Sequence, residues 1–186
     1  MVLTPLHYVH AYAIHKISRR KLSLPGLVIG SAIPDIETPI LFLIGLYPPF
    51  NRLVLHSLIG SLALSWIIGL ILLPLYRMFI EKILSKKFKH EHSTVNYAFS
   101  VLLSSEIHLI TDSLHHPYNP LFWPITSESI DALILLGDWI LASMIMQVIF
   151  KLSLLTIIIF ELKKRNLKIK CIENIKELIF ILLVKN

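Results

Sequence analysis

Cysteine is almost absent: Cys171 stands alone among 186 residues. That excludes an internal disulfide and any thiolate-built zinc cluster, so a metal held by this chain needs histidine and carboxylate ligands. Charge is scarce as well. Asp, Glu, Lys and Arg make up 16% of the chain, against about a quarter in a soluble domain. Internal repeats and low-complexity linkers are lacking, and the length suits one domain rather than two.

What is present instead is apolar sequence. Hydrophobic residues reach 55% and mean hydropathy is +0.70. Leu53–Tyr76 runs for 24 residues without an acid, a lysine or an arginine. A helix of that length crosses a hydrocarbon core of about 30 Å. The expectation is a multi-pass integral membrane protein whose first partner is the lipid bilayer. The first fifteen residues hold His7, His10 and His15 and no unbroken apolar run, so no secretory signal is expected there.

The net charge of +6 does not point to nucleic acid. The basic residues gather between apolar runs, at Lys16–Lys21, Arg77–Lys89 and Lys163–Lys170, as cytoplasmic flanks do under the positive-inside bias. No basic face interleaved with aromatic readers accompanies them.

The predicted architecture is an all-α membrane bundle of five to six helices in a single domain, 1–186. Residues 4–17 read as a short helix with Thr4 as N-cap and Pro5 at its first position. The apolar runs Leu24–Ile33 and Pro39–Leu46 are each too short to span, and together predict a broken helix or hairpin with Asp35 and Glu37 at the break. Leu53–Tyr76 is a full span, Tyr97–Leu114 a second apolar segment carrying Glu106, His108 and Asp112, and Ile130–Phe160 holds about one and a half spans interrupted by Asp131, Asp138 and Lys151. Residues 172–184 predict a short amphipathic helix. If the basic loops lie inside, alternation of the spans brings Asp35, His56, His108 and Asp112 to one end, the non-cytoplasmic one.

Ionisable groups beside lipid-soluble helix are expensive and tend to be functional. His108 and Asp112 sit four apart, on one helical face, and can chelate a divalent cation; a neutral histidine bonded to a core carboxylate is the plainer alternative. His115 and His116 follow, just before Pro117 ends the helix. Asp35, held between Pro34 and Pro39, must be paired, coordinated or protonated, or else caps a helix. Glu37 reads as a supporting or solvated acid. His56 opens the uncharged span, and an interfacial imidazole bonded to a carbonyl is the bland reading of it. His7 and His10 share a helix face, whereas His15 falls at the basic interface. His90 and His92 flank Glu91 in a polar segment at the opposite end.

The order of these pieces is more specific than any one of them. An N-terminal histidine precedes Pro34-Asp35-Ile36-Glu37; His56-Ser57 then opens an apolar helix, and His108-x-x-x-Asp112 leads into Leu121-Phe122-Trp123-Pro124. Over residues 4–125 this resembles the membrane-bound metal-dependent hydrolase family typified by YdjM. That family is in turn similar to the all-helical zinc-dependent phospholipase C and nuclease fold. The resemblance implies a metal set of His7, Asp35, His56, His108 and Asp112, with His115 and His116 in reserve. Thr38 stands where the family has a histidine after its second acid, and Asn51 stands where its helix-opening motif begins with one.

Two functions follow as expectations. The first is a metal-dependent hydrolase, with zinc as the divalent ion suited to His/Asp ligation. Its activated water would attack a phosphoester or other ester of an amphiphilic or phosphorylated small molecule. Asp35, Asp112 or Glu37 would serve as base, and Arg52 would neutralise a phosphate oxygen. The second is a non-enzymatic membrane protein or transporter, in which Asp131 and Asp138, seven apart on one helix, extend a buried His/Asp ion or proton path.

Overall fold

A computed structural model describes residues 4–47, 51–89, 92–167 and 172–184. His90, Glu91 and Cys171 lie outside the described residues, as does the end of the last basic cluster, 168–170. Among the described residues the chain is entirely helical. A 3-10 turn, Thr4–His7, leads into α1 (Tyr8–Ile17); then follow α2 (Leu24–Gly30), α3 (Ile33–Leu43), α4 (Leu58–Ile83), α5 (Thr94–Ser113), α6 (Trp139–Lys164) and α7 (Ile172–Leu183).

Serine and aspartate begin these helices where the apolar runs alone could not mark a start. Ser23, Ser57 and Ser93 each accept the backbone N–H three residues on, at Gly26, Gly60 and Asn96, and so cap α2, α4 and α5. Asp138 accepts from Ile140 and Leu141 at the head of α6. Each cap satisfies a donor that the first helical turn leaves unpaired.

Among the described residues three helices are long and apolar enough to cross a membrane: Leu24–Leu43, broken in its middle, then Leu58–Ile83 and Trp139–Lys164. The outer faces of α4 and α6 expose Ile71, Leu75, Met144, Val148 and Leu152, the surface that lipid tails require. α5 is the buried axis. Tyr97 and Val101 are fully enclosed on it and pack with Ile29, Ile33 and Leu55. The approach of α2 to α5 is close enough to need glycine, because a Cβ on Gly30 would sit 2.2 Å from the Val101 carbonyl oxygen. Tyr97 ties α4 into the same core by donating its hydroxyl to the Gly69 carbonyl at 2.8 Å.

Four expectations are corrected. The break in the first span falls at Ser31–Ala32, not at Asp35 and Glu37. Pro34 sits in the first turn of α3, where its missing N–H costs nothing, so both acids are helical and Pro39 lies inside the helix. His56 precedes α4 instead of riding on it, since Ser57 is the cap. Ile130–Phe160 holds one helix long enough to cross, not one and a half: 3-10 turns at Asp131–Leu133 and Leu135–Gly137 precede one 26-residue helix. Asp131 and Asp138 therefore share no helix. Asp131 accepts from Tyr118 N–H and from the Ser129 hydroxyl inside the loop, and Asp138 is an exposed cap.

The basic segments meet at one end of the bundle. Asn96, at the foot of α5, donates to the Lys21 carbonyl, and Lys16 and Arg165 share Glu161. The other end carries the top of α5, the turn before α4, and the 114–138 loop.

Candidate metal centre

Four elements bring polar side chains to that second end. α5 contributes His108 and Asp112 from one face, both buried. The first turn of α3 contributes Asp35, whose Oδ1 lies 3.5 Å from His108 Nε2. The turn before α4 contributes His56. His7, at the head of α1, stacks on His108 with ring centroids 4.0 Å apart and brings Nε2 to 3.5 Å from Asp112 Oδ1. Ligand atoms of Asp35, His56, His108 and Asp112 all lie within 4.8 Å of one another.

Three of the imidazoles are held in the same way. His108 donates Nδ1–H to the Ser31 carbonyl at 2.8 Å, His115 to the Thr111 carbonyl at 2.9 Å, and His56 to Glu37 Oε2 at 2.9 Å. A carbonyl or carboxylate can only accept, so each Nδ1 carries the proton and each neutral ring presents a lone pair on Nε2. Among the described residues those three Nε2 atoms are buried without a hydrogen-bond partner, as are Asp35 Oδ2 and Asp112 Oδ1. Orphaned buried acceptors are costly, and histidines oriented through one nitrogen with the other left bare are the usual arrangement around a bound metal. The donor set fits a divalent ion.

Glu37 does more than its sequence context indicated. The chain from Leu53 to His56 curls around its carboxylate, and the N–H groups of Leu53, Val54, Leu55 and His56 donate to it at 3.1, 2.6, 3.1 and 3.2 Å. Non-helical backbone at membrane depth needs such internal partners. The acid thereby sets the turn and, through Nδ1, the ring of His56. Arg52 is buried in the same turn and donates to Asp112 Oδ2 at 2.9 Å.

His115 and His116 lie just past the end of α5, in the turn where both backbone N–H groups bond to the Asp112 carbonyl. Their Nε2 atoms approach Asp112 at 3.7 and 3.9 Å, forming with it a second group of ligand type. Asp112 belongs to both groups. Of the remaining histidines, His10 lies beside His7 with both ring nitrogens buried and unpartnered. His15 binds the Leu22 carbonyl at the basic end, and His92 begins the segment leading to α5, far from the cluster in the chain. Thr38 has a buried hydroxyl without a partner, and Asn51 is buried beside Arg52 in sequence.

Burial keeps the outlying histidines neutral. It pushes His7 down to about 4. It pushes His116 to about 2, with Arg52 adding. Since the unfolded chain takes up a proton near pH 6.5 and folded His7 does not until about pH 4, the unfolded state binds more protons between those values. Stability is therefore fully present above pH 6.5 and is lost as the pH falls toward 4. For His7 the loss is on the order of 3 kcal/mol. Thermal unfolding of metal-stripped protein in detergent should drop markedly between pH 7.5 and 4.5, with a shallower fall in His7→Gln. Parallel curves for the two would refute the assignment.

A family model described as YdjM inner membrane protein matches residues 2–183, which extends the likeness well past residue 125 and through α6 and α7. No curated protein and no solved structure matches the chain.

Proposed function

The chain belongs to the YdjM inner membrane protein family, and on that premise we propose that it is a membrane-embedded, metal-dependent hydrolase acting on a phosphoester. The observation that carries this reading is the set of Nδ1-anchored imidazoles whose bare Nε2 atoms converge with two carboxylates. Asp35, His56, His108 and Asp112 would hold the ion, with His7 flanking them. Zinc is the ion best suited to mixed imidazole and carboxylate ligation. When bound, the metal supplies Lewis acidity and an activated water at neutral pH.

The chain's own residues divide the remaining work. Asp35 has its buried Oδ2 unpartnered among the described residues, so it is the acid placed to receive a proton. Glu37 is spent on five N–H donors and acts by positioning His56 rather than as a base. Arg52 bonds Asp112 through one nitrogen; its guanidinium carries five N–H groups, and those remaining suit a phosphate oxygen. Asp112 shares its carboxylate with His115 and His116, which are held in reserve for a second ion. The positive-inside bias puts this end on the non-cytoplasmic side. The transporter reading loses its second carboxylate helix, because Asp131 and Asp138 are loop and cap residues.

Detergent-purified protein is the material for the test, with bis-p-nitrophenyl phosphate and a p-nitrophenyl carboxylic ester as probes. Phosphoester hydrolysis should disappear on chelation and return with zinc. Turnover that survives chelation, or none by a zinc-loaded protein on either probe, counts against the proposal.

A further inference from the structure

The opposite, basic end of the bundle contains a second built feature, unrelated to the metal cluster. Between α1 and α6 lies a cavity of about 470 Å³ lined by Tyr12, Lys16, Arg20, Ile157, Phe160 and Lys164 among others. Three of these side chains are cations. The acid nearest to them, Glu161, faces inward: it is fully buried and accepts from the Tyr12 hydroxyl at 2.8 Å, from Lys16 Nζ at 3.4 Å and from Arg165 Nε at 3.3 Å. It fixes Lys16 and Arg165 in place and exposes no negative charge to the cavity.

The walls differ from the rim. Ile157 and Phe160 continue into the exposed apolar face of α6, through Leu152, Leu155 and Ile159, which is the face that meets lipid tails. Lys164 lies over the Phe160 ring, 5.8 Å from its centroid, at the last turn of the same spanning helix. Arg20 is exposed, its side chain has no partner among the described residues, and it follows Arg19 in a turn where both adopt left-handed backbone, φ 64° and 54°. Cations at the rim of a spanning helix, above an apolar groove, match a molecule with an anionic head and hydrocarbon tails.

We propose that this cavity binds one anionic phospholipid, its phosphate on Lys16, Arg20 and Lys164 and an acyl chain along the exposed face of α6. Charge complementarity and continuity with the lipid-facing surface select a lipid over a soluble anion. The site is independent of the metal centre and of any hydrolytic activity.

Native mass spectrometry of the full chain in detergent, titrated with phosphatidylglycerol or with phosphatidylcholine of the same acyl chains, tests this directly. Phosphatidylglycerol should be retained at least about tenfold more tightly. A cation near an anionic lipid is worth about fivefold in affinity, so Arg20→Gln with Lys164→Gln should weaken binding roughly 25-fold. Arg77→Gln with Lys86→Gln, basic positions outside the cavity, should leave it unchanged. Equal retention of the two lipids, equal loss in both double variants, or displacement by millimolar inorganic phosphate would each overturn the proposal.

Discussion

Replacing His108 and Asp112 together with alanine is expected to empty the protein of zinc. Wild-type protein purified under zinc-replete conditions should carry at least one equivalent, and the double variant a small fraction of one. The two side chains supply an Nε2 and a carboxylate to the same group of ligand atoms. Even a residue standing behind a metal ligand changes affinity by about 10–100-fold, so losing two direct ligands should exceed that. Removing Asp112 also strands Arg52, which is 4% exposed and bonded to that carboxylate. A buried charge left without its partner costs about 3–5 kcal/mol, and a lower melting temperature is expected for that reason alone. Asp112→Asn keeps an acceptor for Arg52 and separates the two effects. Zinc in excess should raise the melting temperature of the wild type, by about 2.7 kcal/mol of stability at 100 times Kd, and leave that of His108→Ala unmoved. Substoichiometric zinc in the wild type, or equal zinc in both proteins, would remove the basis of the hydrolase reading.

The second large effect is expected at a residue that touches no ligand atom of the other chain elements except through one ring. Glu37→Gln should lower stability by about 3–5 kcal/mol and weaken metal binding together. The carboxylate accepts four backbone N–H groups and the His56 ring. An amide turns one acceptor oxygen into a donor facing other donors. Each buried N–H left unsatisfied costs about 1–3 kcal/mol, and the charge-assisted bonds that survive become ordinary ones, roughly half as strong. Among the described residues the turn from Leu53 to His56 has no other partner for these donors, so His56 loses its fixed tautomer and its aim. Chemical denaturation and zinc affinity should shift together. A variant with wild-type stability and affinity would mean that the turn holds itself.

Much of the membrane-spanning architecture was legible because lipid imposes a simple rule: long uncharged runs become helices, and basic residues stay at one end. Leu53–Tyr76, Tyr97–Leu114 and the 172–184 segment each lie within or overlap an observed helix. Helix ends were harder. Pro34 could either break a helix or begin one, and only the packing of α2 against α5 through Gly30 put the break at Ser31–Ala32. The spacing of Asp131 and Asp138 suggested a helical face, yet Asp138 is the α6 cap. Local spacing cannot distinguish a side chain on a helix from one that caps it.

The candidate site divides in the same way. Residue order alone pointed to Asp35, His56, His108 and Asp112, because charged groups beside lipid-facing helix are too costly to be incidental and alternating spans must return to one end. The sequence by itself thus determined an all-helical membrane chain with its polar groups collected opposite its basic loops. Only the tertiary structure decided what each group does there. Glu37 and the turn it organises are 16 to 19 residues apart, and Ser31 and His108 are 77 apart. Contacts at such distances have no local signature, since they arise from how the helices pack and not from the sequence around either partner.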